Sequence, residues 1–348
     1  MNFFSGLFHE PKVESAVLVD ITSDSVAGAY VLRTPDELPL LLYAKRLDIK
    51  KHAGEDDESA MLRALAFLSG DLVGSGAPAL ARVTGNGAAD YILVSVDAPW
   101  QETSVRTERI DKDNEFTFTR ALVKEALQKA CATSEDKTIC NESVVGTMLN
   151  GYATRDPYGK KVHRAEIIIL SSIIRTTAVE SITNAFRGAY HTNKIELTAG
   201  SALRYQALRS AFPHEHNALI LDATGSLISI ELIRNDLLVS VSQLPDSKIG
   251  TAKWATEVRE GLASIAEHYP LPRSIFLLAR DGETENLQNA LETAKLGSLW
   301  LSDNPPKVIT VLASHLTSHV RQTDSGTGDL PLILMALYAH YRRTPSLL

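Results

Sequence analysis

The sequence predicts an α/β protein made of two related lobes, with a small α+β unit spliced into the first. Two strand–Asp–turn–strand segments, ending on Asp20 and Asp222 and about 200 residues apart, suggest an internal duplication. Strands alternate with helices after each of them, the pattern of α/β layers. At 348 residues the chain also exceeds what a single core usually holds.

From Val13 to Leu32 the pattern is a strand, SAVLVDI, a polar turn, TSDS, and a second strand, VAGAYVL, with Asp20 at the mouth of the hairpin. An irregular stretch follows. Glu55-Asp56-Asp57-Glu58-Ser59 then starts a helix whose acidic first turn suits the macrodipole, continued by the apolar face of MLRALAFLSGDLV. The segment YILVSVDAP (91–99) is the next strand.

A different unit begins near Trp100. Thr119 caps the helix RALVKEALQKACA, and SVVGTMLNGYATRDPYGKKVHRAEIIILSSII offers two strands around a turn at Asp156-Pro157-Tyr158-Gly159. Helix AVESITNAFRGAY, a short strand at 194–197 and helix SALRYQALRSA close the first half.

The second half repeats the opening: a strand ending at Asp222, a Thr-Gly-Ser turn, a second strand, and Asn235-Asp236 turning into a third. KWATEVREGLASIAEHY then reads as a helix, SIFLLA as a buried strand and ENLQNALETAKL as a helix. The last helix, PLILMALYAHYRR, has an apolar run from Leu332 to Tyr341 and a basic end at Arg342-Arg343, and is assigned to the core rather than to a membrane anchor.

Composition excludes several classes. A net charge of −7 argues against sequence-independent nucleic-acid binding, which needs Lys and Arg to neutralise phosphates. Cys131 and Cys140 form no CxxC or Cys/His cluster, so neither a disulfide framework nor a zinc site is expected, and a reducing cytoplasm fits. The start MNFFSGLFHEP lacks a basic n-region, and no run of about 18 apolar residues occurs, so neither an ordinary secretion signal nor a membrane span is expected. Phe3-Phe4-x-x-Leu7-Phe8 forms a short apolar stripe, suited to a bilayer surface, a partner groove or its own domain. His214 and His216 flank Glu215 in a loop, and His315 and His319 lie one turn apart without a carboxylate in register; both are assigned to the surface, and no metal or catalytic residue is expected.

Two Asp-tipped hairpins can hold a Mg-nucleotide between them, the turns cradling phosphates with backbone N–H groups and the aspartates holding the metal's waters. The residues placed for this are Asp20, Thr22, Ser23, Asp222, Thr224, Gly225 and Ser226. Each turn alone also fits an ordinary hairpin, in which Asp, Ser and Thr bond locally.

This order of elements resembles the actin-like (ribonuclease H-like) ATPases, and the unit after Trp100 resembles the SHS2-type subdomain of FtsA and PilM. Met148-Leu149-Asn150-Gly151-Tyr152 followed by Asp156-Pro157-Tyr158-Gly159-Lys160 matches that family's segment before a long strand. The resemblance divides the chain into 1–99, the start of the first lobe; 100–174, the insert; 175–215, the return to the first lobe; and 216–348, a reduced second lobe.

Four departures stand out. The first phosphate loop, Asp20-Ile21-Thr22-Ser23, has β-branched Thr22 where the family has glycine. The second, Asp222-Ala223-Thr224-Gly225-Ser226-Leu227, keeps one glycine of three, and the adenosine segment runs into Ala279-Arg280-Asp281-Gly282, with an arginine where a base should lie. Only about ten residues separate Leu244 from the next helix, so the outer subdomain of the second lobe is expected to be missing.

The resemblance thus implies a scaffold of bacterial cell division or type IV pilus assembly at the inner face of the cytoplasmic membrane. Protein partners of those machineries, possible self-association and peripheral membrane contact go with it, and no cofactor is expected. The alternative it implies is an active, polymerising ATPase with Mg-ATP at the seven residues above. A sugar kinase lacks support, because no catalytic-base motif precedes the second hairpin.

Overall fold

The structure is a computed structural model that describes residues 13–34, 36–131, 136–190, 192–244, 251–280, 282–300 and 306–342. Phe3, Phe4, Leu7, Phe8, Asp281, Arg343 and the side chain of Cys131 lie outside what is described.

The described chain opens with β1 (Glu14–Ile21), β2 (Ser25–Arg33) and β3 (Leu40–Asp48), then α1 (Asp57–Asp71), α2 (Ala77–Thr84) and β4 (Tyr91–Val96). The insert follows as β5 (Gln101–Thr117), α3 (Arg120–Cys131), β6 (Lys137–Leu149), β7 (Tyr152–Ala153) and β8 (Lys161–Arg175). The first lobe resumes with α4 (Thr176–Tyr190), β9 (Ile195–Ala199) and α5 (Gly200–Ala211). The second lobe has β10 (Ala218–Ala223), β11 (Ser229–Arg234), β12 (Leu237–Gln243), α6 (Ala252–Ala266), β13 (Ser274–Ala279), α7 (Thr284–Thr293) and β14 (Lys307–Val311), and β15 (Arg321–Gln322) and α8 (Leu330–Tyr341) are the last elements described.

The two lobes repeat one topology. The first sheet runs β15-β3-β2-β1-β4-β9 and the second β12-β11-β10-β13-β14. In each, a central strand pairs antiparallel with the next strand in the chain and parallel with the one after the helix, β1 with β2 and β4, β10 with β11 and β13. The central strands are buried over most of their length, which explains their near-continuous apolar sequences. The hairpin β11–β12 turns at Asn235 and Asp236, both at positive φ, the backbone a tight two-residue turn requires.

Helices α5 and α8 pack on each other between the sheets. The core around them joins Ala16 and Leu18 of the first sheet to Ile220 and Phe276 of the second through Leu203, Leu208, Ile333 and Leu337. Outside, α1, α2 and α4 cover the first sheet, and α6 and α7, with Trp254 and Trp300, cover the second. Asp56 caps α1 through its side chain, as the acidic start of that helix predicts. Helices α1 and α2 join through the π-turn Leu72–Gly76 into one helix, 57–84, long and apolar enough to cross a membrane by length and composition; its inward residues Met61, Leu65, Leu68 and Leu72 are buried against the first sheet.

The insert is a separate four-stranded sheet, β5-β8-β6-β7, with its own small core of Phe118, Leu149, Val162, Ile167 and Ile169 beside α3. Two of its three long strands match the sequence reading. The third, β5, replaces what sequence left without structure, as β3 replaces the irregular stretch after Leu32.

The boundary of the second lobe also shifts. Sequence places 216–348 there, and α8 is the buried helix expected, yet β15 pairs with Leu40 and Leu41 of β3, and α8 lies on β1 and β2 of the first sheet. The physical reason is close docking at Gly326, where an added Cβ would come within 2.1 Å of the Leu41 carbonyl oxygen. Thr323 N–H donates to that same oxygen at 3.0 Å, and the Thr323 and Ser325 hydroxyls donate to Leu42 O.

Candidate functional site: a cleft closed by arginines

Asp20 and Asp222 occupy equivalent places near the carboxyl ends of the central strands, where open α/β sheets bind ligands. The turns that follow them meet directly across the cleft. Ser23 Oγ lies 2.7 Å from Ser226 Oγ, and Leu227 N–H donates to Ser23 Oγ at 3.3 Å. All seven residues singled out from sequence are therefore brought together.

Their polar groups, however, are turned inward. Thr22 N–H donates to Ser25 O at 3.0 Å, and its hydroxyl bonds within the same loop to Asp24 Oδ1 and Ser25. Trp100 Nε1 donates to Thr22 O at 3.0 Å. On the other side both Thr224 N–H and Thr224 Oγ donate to Asp222 Oδ1, at 2.9 and 2.6 Å. Gly225 packs on Thr22, so the one retained glycine faces the residue that stands in place of the other.

Between the aspartates lies a residue that sequence inspection passed over, Arg204 on α5. It is 3% exposed, and its guanidinium pairs through Nε with Asp222, donates from Nη2 to Asp97 Oδ1 at 2.5 Å, and places Nη1 4.0 Å from Asp20 Oδ1. Arg46 of β3 approaches from the far side, bonding Asp20 Oδ2 at 3.1 Å and Ser25 Oγ at 2.7 Å and pairing with Asp329, the cap of α8. Arg280, expected beside the adenine, reaches across instead: Nε donates to Thr224 O at 2.6 Å, and Nη2 to both carboxylate oxygens of Asp24 at 2.7 and 2.9 Å. Glu231 on β11 completes the buried acids, accepting from Ser229 Oγ at 3.2 Å.

Electrostatics follow the geometry. Burial alone would lower the Arg204 guanidinium, but the carboxylates of Asp222, Asp97 and Asp20 outweigh it and raise it. Burial raises Glu231 well above the ordinary carboxylate value. Burial, with the charges of Asp20 and Asp222, pushes Asp97 up to about 7 against the pull of Arg204. Between its ordinary value of 3.8 and about 7 the folded chain keeps a proton on Asp97 that the unfolded chain has released, so this group's contribution to stability falls as pH rises through that window. In urea melts, the margin of the wild type over Asp97→Asn is expected to shrink from pH 5 to pH 8; a margin that is flat or widens would contradict the placement.

The space left is small. A cavity of about 30 Å³ remains between Thr22, Asp97, Ser201, Arg204, Asp222 and Ser229, room for a water or two. Sites for drug-sized ligands run from about 300 Å³ upward.

The other candidates lie apart. His216 pairs with Asp236 in an exposed turn, and His315 and His319 bond only locally. Cys140 Sγ donates to Ser172 O. Among the described residues no three His, Cys, Asp or Glu side chains converge as metal ligands would.

No protein-family model and no curated protein matches the sequence. Solved structures do. One, of the PilM–PilN type IV pilus biogenesis complex, is 14% identical, covers 93% of this chain and 96% of its own, and superposes with a TM-score of 0.60. A protein of unknown function with an actin-like ATPase fold from Bacteroides thetaiotaomicron is 8% identical over 93% and 95% of the two chains, at TM-score 0.43. The ethanolamine utilization protein EutJ from Carboxydothermus hydrogenoformans is 10% identical over 93% and 90%, at 0.38. With its duplicated sheets, paired central helices and facing Asp-tipped turns, and with the PilM likeness along nearly its whole length, the chain has the actin-like fold.

Proposed function

We propose that this protein is a PilM-like scaffold that works without nucleotide, binding protein partners of type IV pilus assembly at the inner face of the cytoplasmic membrane. The observation that carries the first part is the closed cleft. Arg204 stands between the two aspartates, Arg280 clamps one turn to the other, and only about 30 Å³ is left where a nucleotide would need at least ten times as much. The small space, with the Thr22 and Thr224 N–H groups already bonded within their own turns, supports a reading without Mg-ATP.

The partner reading rests on the likeness to a PilM chain solved in complex with PilN, and favours pilus assembly over division. The SHS2-type assignment of the insert belongs to the same reading. The insert supplies the surface: it has its own core, forms its own sheet, and exposes Val105, Tyr152 and Tyr158, Tyr152 at 78%. Exposed aromatic side chains offer large contact area at low entropic cost, a feature of binding surfaces.

Thermal melting tests the nucleotide half. Millimolar Mg-ATP should leave the midpoint within about 1 °C of that with magnesium alone, since a ligand that does not bind cannot shift folding. A magnesium-dependent rise of several degrees would replace the scaffold by the ATPase reading. Deleting the gene in its bacterium should abolish surface pili; unaltered piliation would remove the pilus role.

A further inference from the structure

The carboxylates around Arg204 come from both lobes. Asp20 ends β1 and Asp97 follows β4 in the first, whereas Asp222 ends β10 in the second, and Arg204 rides on α5, one of the two helices between the sheets. The three acids do not converge on a point as metal ligands do; they surround the edge of a planar fork, one at Nε, one at Nη2 and one facing Nη1. Asp20 Oδ1, fully buried, and the hydroxyl of Ser201, which lines the small cavity, make no hydrogen bond, nor do Glu231 Oε2 and Arg204 Nε, which meets Asp222 as an ion pair. Carboxylates arranged this way suit a guanidinium, which offers several donors in one plane, better than a compact ammonium or a hard metal ion.

We propose that Arg204 is a tethered ligand: its guanidinium fills an inter-lobe acidic cradle of Asp20, Asp97 and Asp222 and holds the cleft shut in place of any diffusible effector. This deepens the reading of a nucleotide-free scaffold. The lobes stay closed because the closing charge is part of the chain, and the cradle, once vacated, is a site for free guanidinium-type cations.

The test is chemical rescue of Arg204→Ala. The variant should melt well below the wild type and exchange the amides of residues 223–228 at least tenfold faster. Guanidinium chloride at about 10 mM, far below denaturing concentrations, should restore much of both, raising the melting midpoint by about 5 °C while leaving the wild type unchanged or slightly lower. Sodium or magnesium chloride at matched ionic strength should restore neither. Equal recovery with magnesium or sodium would show a cradle indifferent to cation shape and overturn the proposal, as would no recovery with guanidinium.

If Arg204→Ala accumulates unfolded, refolding with and without guanidinium gives the same decision: recovery only with guanidinium supports the proposal, and equal yields overturn it. Arg204→Gln, closer in volume, is read by the same criteria. Asp222→Asn added to either variant should abolish the rescue. None of these measurements involves nucleotide, so Mg-ATP binding by the wild type would defeat the scaffold reading alone, and failed rescue would defeat this proposal alone.

Discussion

Arg204→Met is expected to destabilise the protein by about 3–5 kcal/mol at pH 8, the cost of removing one partner from a buried ion pair and leaving carboxylates uncompensated. Methionine fills similar volume, so the loss reports charge rather than a cavity. Among the described residues Asp222 and Asp97 lose their charged partner, and Asp20 keeps Arg46. The effect should shrink toward pH 5, because Asp97, pushed up to about 7, is then protonated in the folded state and one bare charge fewer remains. Arg204→Lys should lie between, since a single ammonium cannot meet the three carboxylates at once. Urea denaturation at the two pH values measures all of this; a loss below about 1 kcal/mol at pH 8 would mean that Arg204 is no keystone of the cleft.

Gly326→Ala should do comparable damage at the β3–β15 edge of the first sheet. Its Cβ would stand 2.1 Å from the Leu41 carbonyl oxygen and 2.6 Å from the carbonyl carbon, backbone atoms that cannot swing aside. Either the turn 324–326 lifts, breaking the bonds of Thr323 and Ser325 to β3, or β3 moves. Overpacking of this kind costs about 1–3 kcal/mol, and the lost hydrogen bonds add about 1 kcal/mol each. The readout is the urea midpoint together with amide exchange in β3 and β15. An unchanged midpoint would show that the C-terminal segment is not held as described.

Much of this architecture is legible in the sequence because its main elements are buried and periodic. The strands around Asp20 and Asp222, the apolar α8 and the amphipathic α6 carry the patterns their packing demands. Strand β5 does not. QETSVRTERIDKDNEFT is charged and largely exposed, and is held by its long pairing with β8 and by ion pairs such as Arg106 with Glu142 rather than by burial, so no alternation marks it.

The site is half legible. Aspartates before small-residue turns announce themselves, whereas Arg204 and Asp97 look like surface residues until the third dimension joins them. A signal exists in hindsight: Arg204 shares a helix face with Ala207 and Leu208, and an arginine on a core-facing stripe needs an acidic partner. Nothing local names that partner, because Asp97 lies 107 residues away.

The return of the last strand and helix to the first sheet has a consequence for synthesis. As the chain leaves the ribosome, β1, β2 and β4 emerge well before the helix that shields their inner face, which lies at 330–341. That apolar face must wait while the residues between are made, with α5 alone over part of it, a period in which nascent chains are open to capture by chaperones or by one another.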